Sequence, residues 1–242
     1  MRAVMAFAAF SLLAGSALAE PTAVTVRALA KDAKLIGDSM GGVAITLADA
    51  RTGKVLAEGL TKGGTGDTAK LVTGPRLRGQ PLAAEGAAFQ ATLDLDKPTL
   101  VRATAKGPMG KPDAVVTAVS EMWMLPGKAV GGDGWIIELP GLVVEPTLDA
   151  SAGVKVTAKV TLMCGCPIAP DSTWDANHYE VKATFSQGGK VVRTAPLAYA
   201  GQTSTFAASV ADLPKGRYQV LLTAHNANTG NSGVAERPLD VK

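Results

Sequence analysis

VKVTAKVTL (residues 154–162) alternates apolar and polar side chains without a break. In an extended chain successive side chains point to opposite faces, so the apolar members of this stretch share one face. They are Val154, Val156, Ala158, Val160 and Leu162. The pattern predicts a β-strand with one buried and one solvated face.

Short runs of the same kind recur along the chain, and 27 glycines and 14 prolines punctuate the segments between them. Long segments with helical periodicity are absent. The predicted strands are 23–29, 42–48, 54–60, 89–95, 100–105, 114–124, 134–139, 154–162, 179–185, 190–196, 203–210, 217–225 and 234–241. Many short strands separated by turn residues are typical of an all-β sandwich or barrel.

These strands predict two consecutive β-sandwich domains, residues 20–141 and 142–242. Each would hold about 100 residues, an ordinary domain size. The boundary is expected in ELPGLVVEPTLDASAG (138–153), where Pro140, Gly141 and Pro146 interrupt regular structure.

The amino end, MRAVMAFAAFSLLAGSALAE (1–20), has an early arginine, an apolar run and the small residues Ala17 and Ala19. This pattern predicts a secretory signal peptide, residues 1–19, cleaved before Glu20. We therefore expect a periplasmic or secreted protein. No later apolar run approaches the roughly 18 residues that a membrane span needs.

Charge also limits the class of partner. The formal net charge is +3, and acidic and basic residues are interspersed. Without a basic stripe or an aromatic platform, nucleic acid is not expected as a partner.

Two stretches resemble known domains. GVAITLADARTGKVLAEGLT (42–61) resembles the opening hairpin of transthyretin-like or carboxypeptidase-regulatory-like domains. LPKGRYQVLLTAHNANTGNSGVAERPLDV (213–241) resembles the last hairpin of bacterial immunoglobulin-like domains. There Leu213, Gly216 and Tyr218 fit a tyrosine corner, whose phenol ties a loop to the following strand. Both resemblances imply a sandwich fold and name no ligand.

Both cysteines lie in MCGCPIAP (163–170), directly after the first stretch. Continued alternation would place Cys164 and Cys166 on the buried side and Met163 on the other face. Because Gly165 and Pro167 suit a strand interior poorly, we expect the strand to end or kink here, with the thiols at its rim. A disulfide would need a turn at Gly165, since alternate residues of a straight strand lie about 6.6 Å apart, near the upper limit for a disulfide.

The alternative is a metal site. Two thiolates at this spacing suit a soft ion such as Cu(I) or Zn(II), and Met163 and His178 are the candidate additional ligands. An oxidising compartment favours the disulfide instead. The sequence leaves both open.

Methionine also occurs in SEMWML (120–125), where Met122 and Met124 would share one face of a strand. We expect them to fill space rather than bind metal. Trp123 would then face the other way, as a packed core indole.

Known catalytic patterns are absent: the chain has no G-x-S-x-G and no H-E-x-x-H. The glycine-rich KGGTGDTAK (62–70) lacks the order of a phosphate-binding loop and predicts a flexible hairpin loop. Asp133, in GGDG, is expected to be a turn residue. We therefore expect no enzyme.

Three hypotheses follow, in order of preference. The first is a non-catalytic exported binding or accessory module that meets an envelope protein and uses Cys-Gly-Cys as a clip. The second is a Cu(I)-binding or delivery protein using Cys164 and Cys166. The third is a thiol–disulfide exchange factor.

Overall fold

The computed structural model describes residues 19–242, so nearly all of the predicted signal peptide lies outside the described residues. Within this range the chain forms fourteen strands and four short helical turns. The strands are β1 (Glu20–Ala30), β2 (Ala44–Asp49), β3 (Val55–Leu60), β4 (Phe89–Leu95), β5 (Thr99–Gly107), β6 (Val116–Met124), β7 (Val130–Leu139), β8 (Leu142–Asp149), β9 (Val154–Leu162), β10 (Tyr179–Gln187), β11 (Lys190–Tyr199), β12 (Thr205–Val210), β13 (Gly216–Asn226) and β14 (Ser232–Val241). The helical turns are Asp38–Met40, Ala69–Thr73, Pro112–Ala114 and Ala176–His178. The predicted all-β fold class is confirmed.

Strands β1 to β7, here the N-terminal half, form two sheets. One has the order β4-β1-β7, with β1 antiparallel to β4 and parallel to β7. The other has the order β3-β2-β5-β6 and is antiparallel throughout. Alternate residues such as Val26, Leu47 and Val101 are fully buried in one shared core, as the period-2 pattern predicts.

Strands β8 to β14, the C-terminal half, form one sheet of order β14-β13-β10-β11-β12-β9-β8. Its two ends approach each other, because Gly233 of β14 lies directly against the carbonyl of Leu142 in β8. Val156, Phe185 and Val220 are fully buried inside this folded sheet. The apolar side chains of β9 therefore face the interior of a curved sheet that packs on itself, and its polar side chains face outward.

Turn chemistry agrees with the sequence at two predicted hairpins. Asp49 Oδ1 accepts hydrogen bonds from the amides of Arg51 and Thr52 between β2 and β3, at 2.8 and 2.9 Å. The hydroxyl of Tyr218 donates to the carbonyl of Pro214 at 2.7 Å, which is the contact expected of a tyrosine corner.

β8 is a strand that the sequence pattern does not predict. It pairs with β9 from Leu142↔Leu162 to Asp149↔Lys155, inside the segment expected to be the domain boundary. Pro146 is compatible with this strand because β8 lies at the end of its sheet, and an edge strand tolerates a missing amide donor. The boundary at 141/142 stays a prediction, although within residues 19–242 no strand of one half pairs with a strand of the other.

The two halves are in intimate contact. Only Pro140 and Gly141 separate β7 from β8, and one continuous group of buried apolar residues runs through both halves. We call this contact region the junction. No helix in residues 19–242 has the length and apolar character needed to cross a membrane.

Candidate functional site at the junction

The cysteines lie in a tight turn that follows β9, here called the cysteine turn (residues 163–166). The amide of Gly165 donates to the carbonyl of Leu162 at 2.8 Å, and the amide of Leu162 donates to the carbonyl of Cys166 at 3.3 Å. Gly165 has φ +77°, the left-handed conformation that glycine adopts without steric cost. The strand therefore ends at Leu162, as expected, and the chain turns back on itself.

A disulfide joins Cys164 and Cys166, whose Cα atoms are 5.3 Å apart. The turn at Gly165 supplies the shortening that the geometric argument requires. A two-residue separation closes a very small ring, so the bond fixes the local shape of the turn more than it restricts the unfolded chain.

Burial in the cysteine turn agrees with the expectation for the two cysteines and differs from it for Met163. Cys164 and Cys166 are 2% and 4% exposed, and Met163 is fully buried. The sulfur of Met163 packs against Gly141, where a Cβ would lie 3.3 Å from it. The alternation of burial along β9 stops at Thr161, which is itself buried, and the cysteine turn lies inside the junction rather than at an open rim.

Met40 is the residue that sequence reasoning missed. It ends the helical turn Asp38–Met40 in the N-terminal half and is 4% exposed. A Cβ on Gly165 would lie 2.9 Å from the Met40 sulfur, so this thioether rests on the cysteine turn. Met40 is remote from the cysteines in sequence and follows no periodic pattern, so no sequence signal pointed to it.

A cleft of about 380 Å³ opens beside the cysteine turn. Gly165, Pro167 and Met40 form part of its wall, and Lys111, Glu145 and Lys159 contribute charged groups. Lys111 Nζ and Glu145 Oε1 are 2.6 Å apart and join the two halves. With two lysines and one glutamate, the charged part of the lining carries a net positive charge.

His178, the fourth residue predicted for the metal site, is exposed at the end of the helical turn Ala176–His178. In residues 19–242 no three His, Cys, Asp or Glu side chains come together as a group able to hold a metal ion. The structure places Met163 beside the cysteines in the chain but packs its sulfur on Gly141. The metal assignment to Cys164, Cys166, Met163 and His178 stays a prediction.

Polar contacts also link the two halves at the junction. The indole Nε1 of Trp174 donates to the carbonyl of Asp32 at 2.8 Å. The side chain of Asn231 makes two hydrogen bonds across the junction. Its amide nitrogen donates to the carbonyl of Lys31 at 3.0 Å, and its oxygen accepts from the amide of Gly141 at 3.1 Å. These contacts hold the halves in one relative orientation.

Burial changes the titration of two groups at this junction. Partial burial raises the pKa of Asp32, and the nearby Lys31 opposes that shift. Burial also raises the pKa of Tyr179, while a hydrogen bond with Asn226 opposes it and the charge of Asp32 adds to it.

Residues 62–70, expected from their glycines to form a flexible hairpin loop, lie within a longer connection between β3 and β4, here called the long loop (residues 61–88). Arg27 of β1 is 3% exposed and donates to the carbonyls of Ala84, Gly86 and Ala87. Asp133, expected to be a turn residue, accepts from the amides of Leu82 and Ala83 at 2.8 Å. Burial lowers the pKa of Arg27 and the charge of Asp133 opposes that change.

Trp123 also differs from expectation. It is 52% exposed, and the guanidinium carbon of Arg51 lies 5.1 Å from the centre of its ring. The prediction of a packed core indole is wrong, because β6 turns this side chain to the outer face of the sheet β3-β2-β5-β6. Met124 on the opposite face is buried and Met122 is half-buried, as expected for space-filling side chains.

No protein family matches this chain, and no curated protein matches it. Among solved structures, β-glucuronidase 3 of Bacteroides uniformis is similar over 91% of this chain, with 10% identity and a TM-score of 0.22. The chain covers 25% of that protein. A TM-score this low supports no argument about fold or function.

Proposed function

We propose that this chain is a non-catalytic binding or accessory module of the cell envelope, exported to the periplasm or beyond. Its partner is an envelope protein. The cysteine turn serves this function as a clip that fixes the local shape of the chain at the junction.

The observation that carries the proposal is the outer face of the sheet β3-β2-β5-β6. We define this outer face by the exposed apolar side chains Val55, Leu60, Val119 and Trp123, with Leu125 at its margin. Val55, Val119 and Trp123 are each more than half exposed, at 52%, 57% and 52%. They lie on the two edge strands, β3 and β6, of the same sheet face, and exposed apolar side chains are the usual anchors of protein interaction sites.

The polar residues of the outer face fit the same function. Arg102 and Glu121 form an ion pair at 2.7 Å beside Trp123, and Arg51 stacks on its ring. Tryptophan and arginine are enriched among the residues that dominate binding energy in protein interfaces. A tryptophan held by an arginine in the free protein also loses less conformational freedom on binding.

Site-specific photo-crosslinking in living cells tests this proposal. A photoreactive residue at Val119 or Trp123 is expected to give a covalent adduct with an envelope protein. The matched control is Val191 on β11, which is 65% exposed but lies in the C-terminal half. Equal adducts at Val191, or none at Val119 and Trp123, would count against the outer face as the binding site. Recovery of the chain from the cytoplasm with residues 1–19 attached would contradict the proposed location.

A second candidate function is Cu(I) binding or delivery through Cys164 and Cys166. One observation favours it: the two cysteines lie together in one tight turn, and Gly165 between them lines a cleft together with Met40. Loss of Cu(I) binding in Cys164→Ser or Cys166→Ser, measured on reduced protein, is the expected result.

A further inference from the structure

We infer that the envelope partner adds an extended segment of its own chain to β6, as a fifth strand of the sheet β3-β2-β5-β6. This inference rests on the proposed binding function and deepens it, because it names the edge that receives the partner and the kind of segment that docks there. In recognition by strand addition, main-chain hydrogen bonds give affinity and side-chain contacts give specificity.

The flank of β6 that faces away from β5 is open. β6 is an edge strand, and within residues 19–242 no strand pairs with this flank. Burial of two directly opposed alanines agrees: Ala105 of β5 is fully buried, whereas Ala118 of β6 is only half-buried. The side of β6 is therefore accessible to a further strand.

The main-chain groups on this open flank belong to the odd-numbered residues of β6. The carbonyl of Leu100 accepts from the amide of Ala50 at 2.8 Å, so the even-numbered residues of β5 direct their main-chain groups towards β2. The odd-numbered residues of β5 therefore bond to β6, and in the register Ala103↔Ser120 their partners are even-numbered. The β6 residues that direct amides and carbonyls to the open flank are then Thr117, Val119, Glu121 and Trp123.

The same four residues expose their side chains on the outer face. Directly opposed residues of neighbouring strands share a face, so a partner residue opposite Val119 places its side chain beside Val119 on the outer face. The same holds at Trp123, four residues further along the strand. The docking segment is therefore expected to carry apolar or aromatic side chains at two positions four residues apart.

Glu121 sets the position between these two. It forms an ion pair with Arg102 at 2.7 Å, and like charges directly opposite each other are destabilising. The docking segment should therefore carry a polar residue there and not an acidic one. The interior behind β6 is already filled, because the indole of Trp135 donates to the hydroxyl of Ser120 at 3.1 Å. The partner is thus received at the flank and not beneath the strand.

β6 also lacks the features that protect other edges from strand addition. β8 and β14, the edge strands of the C-terminal half, contain Pro146 and Pro238, each of which lacks an amide donor. β3, at the opposite edge of the same sheet, has six residues and a register shift opposite Leu47 and Ala48. β6 (VTAVSEMWM) has nine residues, no proline, glycine or lysine, and an unbroken register with β5. Such an edge is a ready template for another strand.

Two substitutions at Val119 separate main-chain recognition from side-chain contact. Val119→Pro removes the amide on the open flank and keeps most of the apolar side chain, while Val119→Ala keeps the amide and removes more apolar surface. Each is combined with a photoreactive residue at Trp123 in living cells, and the yield of the envelope adduct is measured. Strand addition predicts that Val119→Pro lowers the yield by about tenfold and Val119→Ala by less. The reverse order would overturn the inference.

Hydrogen exchange in the purified covalent complex is a second measurement that needs no altered main chain. In the free chain the amides of Val119 and Glu121 should exchange faster than the amide of Ser120, which bonds to β5. In the complex their exchange should slow to the rate of Ser120. Unchanged exchange in a complex that does form would overturn strand addition and leave the outer face as the binding site.

The remaining outcomes are distinct from these. Absence of an adduct at Trp123 in the otherwise unaltered chain would overturn the proposed binding function itself. An adduct between two copies of this chain would overturn the assignment of the open flank to an envelope partner. Failure of the inference and failure of the proposed function are therefore distinguishable.

Discussion

The long loop and the cysteine turn are both irregular segments, yet the protein fixes them by opposite means. The long loop spans residues 61–88 and is held from outside, by the buried guanidinium of Arg27 and the carboxylate of Asp133. The cysteine turn is held from within, by a disulfide across a single glycine. A long segment exposes many main-chain groups, so it needs charged partners that satisfy several at once. A short turn needs only local closure.

The largest effect is expected from breaking the anchor of the long loop. Arg27→Leu removes the donor to three loop carbonyls and the cation that interacts with the charge of Asp133. Hydrogen bonds to buried charged groups are strong, and an unpaired partner pays for its own desolvation. We expect a loss of about 3 kcal/mol in the free energy of unfolding, measured by urea denaturation. Arg78→Leu, at an exposed position of the same loop, is the control and should change little.

Reduction of the disulfide should cost less than loss of the anchor. The chain-entropy estimate for a ring of this size is about 1.5 kcal/mol. Urea denaturation with and without a dithiol measures the difference. The double variant Cys164→Ser/Cys166→Ser should show no response to the dithiol. If reduction lowered the free energy of unfolding by more than Arg27→Leu does, the cysteine turn and not the long loop would be the segment whose fixation matters more for stability.

The tyrosine corner fixes a third irregular segment, the loop before β13, through one neutral hydrogen bond. Tyr218→Phe removes the bond to the Pro214 carbonyl and keeps the buried ring. The expected loss is about 1 kcal/mol, typical of a single hydrogen bond. Tyr199→Phe is the matched control, since the Tyr199 ring packs edge-on against Phe206 and its hydroxyl makes no hydrogen bond to a described residue. Equal losses in the two variants would indicate a general effect of removing a phenol.

The smallest expected effect is a change in the pH dependence of stability, and it concerns Asp32 at the solvent-facing side of the junction. Partial burial raises the pKa of Asp32, so the folded chain holds this proton more tightly than the unfolded chain does. The wild-type protein therefore loses stability relative to Asp32→Asn as pH rises above the ordinary Asp value of about 3.9. Asparagine tolerates the left-handed φ of +56° at this position.

Unfolding free energies of the two proteins should agree at pH below about 3, where both side chains are neutral. The variant should be the more stable at pH 7. A difference that is constant across this range would show that Asp32 acts through something other than its charge.

Much of the fold follows from local pattern. Alternation predicts β9, and turn residues predict the hairpin around Asp49 and the corner at Tyr218. Local pattern does not predict β8, because a strand can contain Pro146 only if it lies at the edge of a sheet. Whether a strand lies at an edge depends on the arrangement of the whole sheet, which the local sequence does not contain. The prediction that Trp123 is buried is wrong for a related reason. Alternation separates the two faces of a strand, but it does not say which face is covered by another layer of the protein.

The candidate site is partly predictable. Gly165 indicates the turn, because a disulfide across one residue needs a conformation that glycine supplies. Met40 is not predictable, since its contact with the cysteine turn depends on how the two halves meet. Arg27 did carry a signal: a charged residue within the apolar run of β1 must find buried partners, although the sequence does not name them.

The two-residue connection at Pro140 and Gly141 leaves no flexible linker between the two halves. An exposed flexible linker is where proteases nick a chain and where bound partners swing freely. Here β7 runs almost directly into β8, and Asn231 accepts from the amide of Gly141 within that connection. The partner proposed for the outer face near Trp123 would therefore be held in one orientation relative to the C-terminal half.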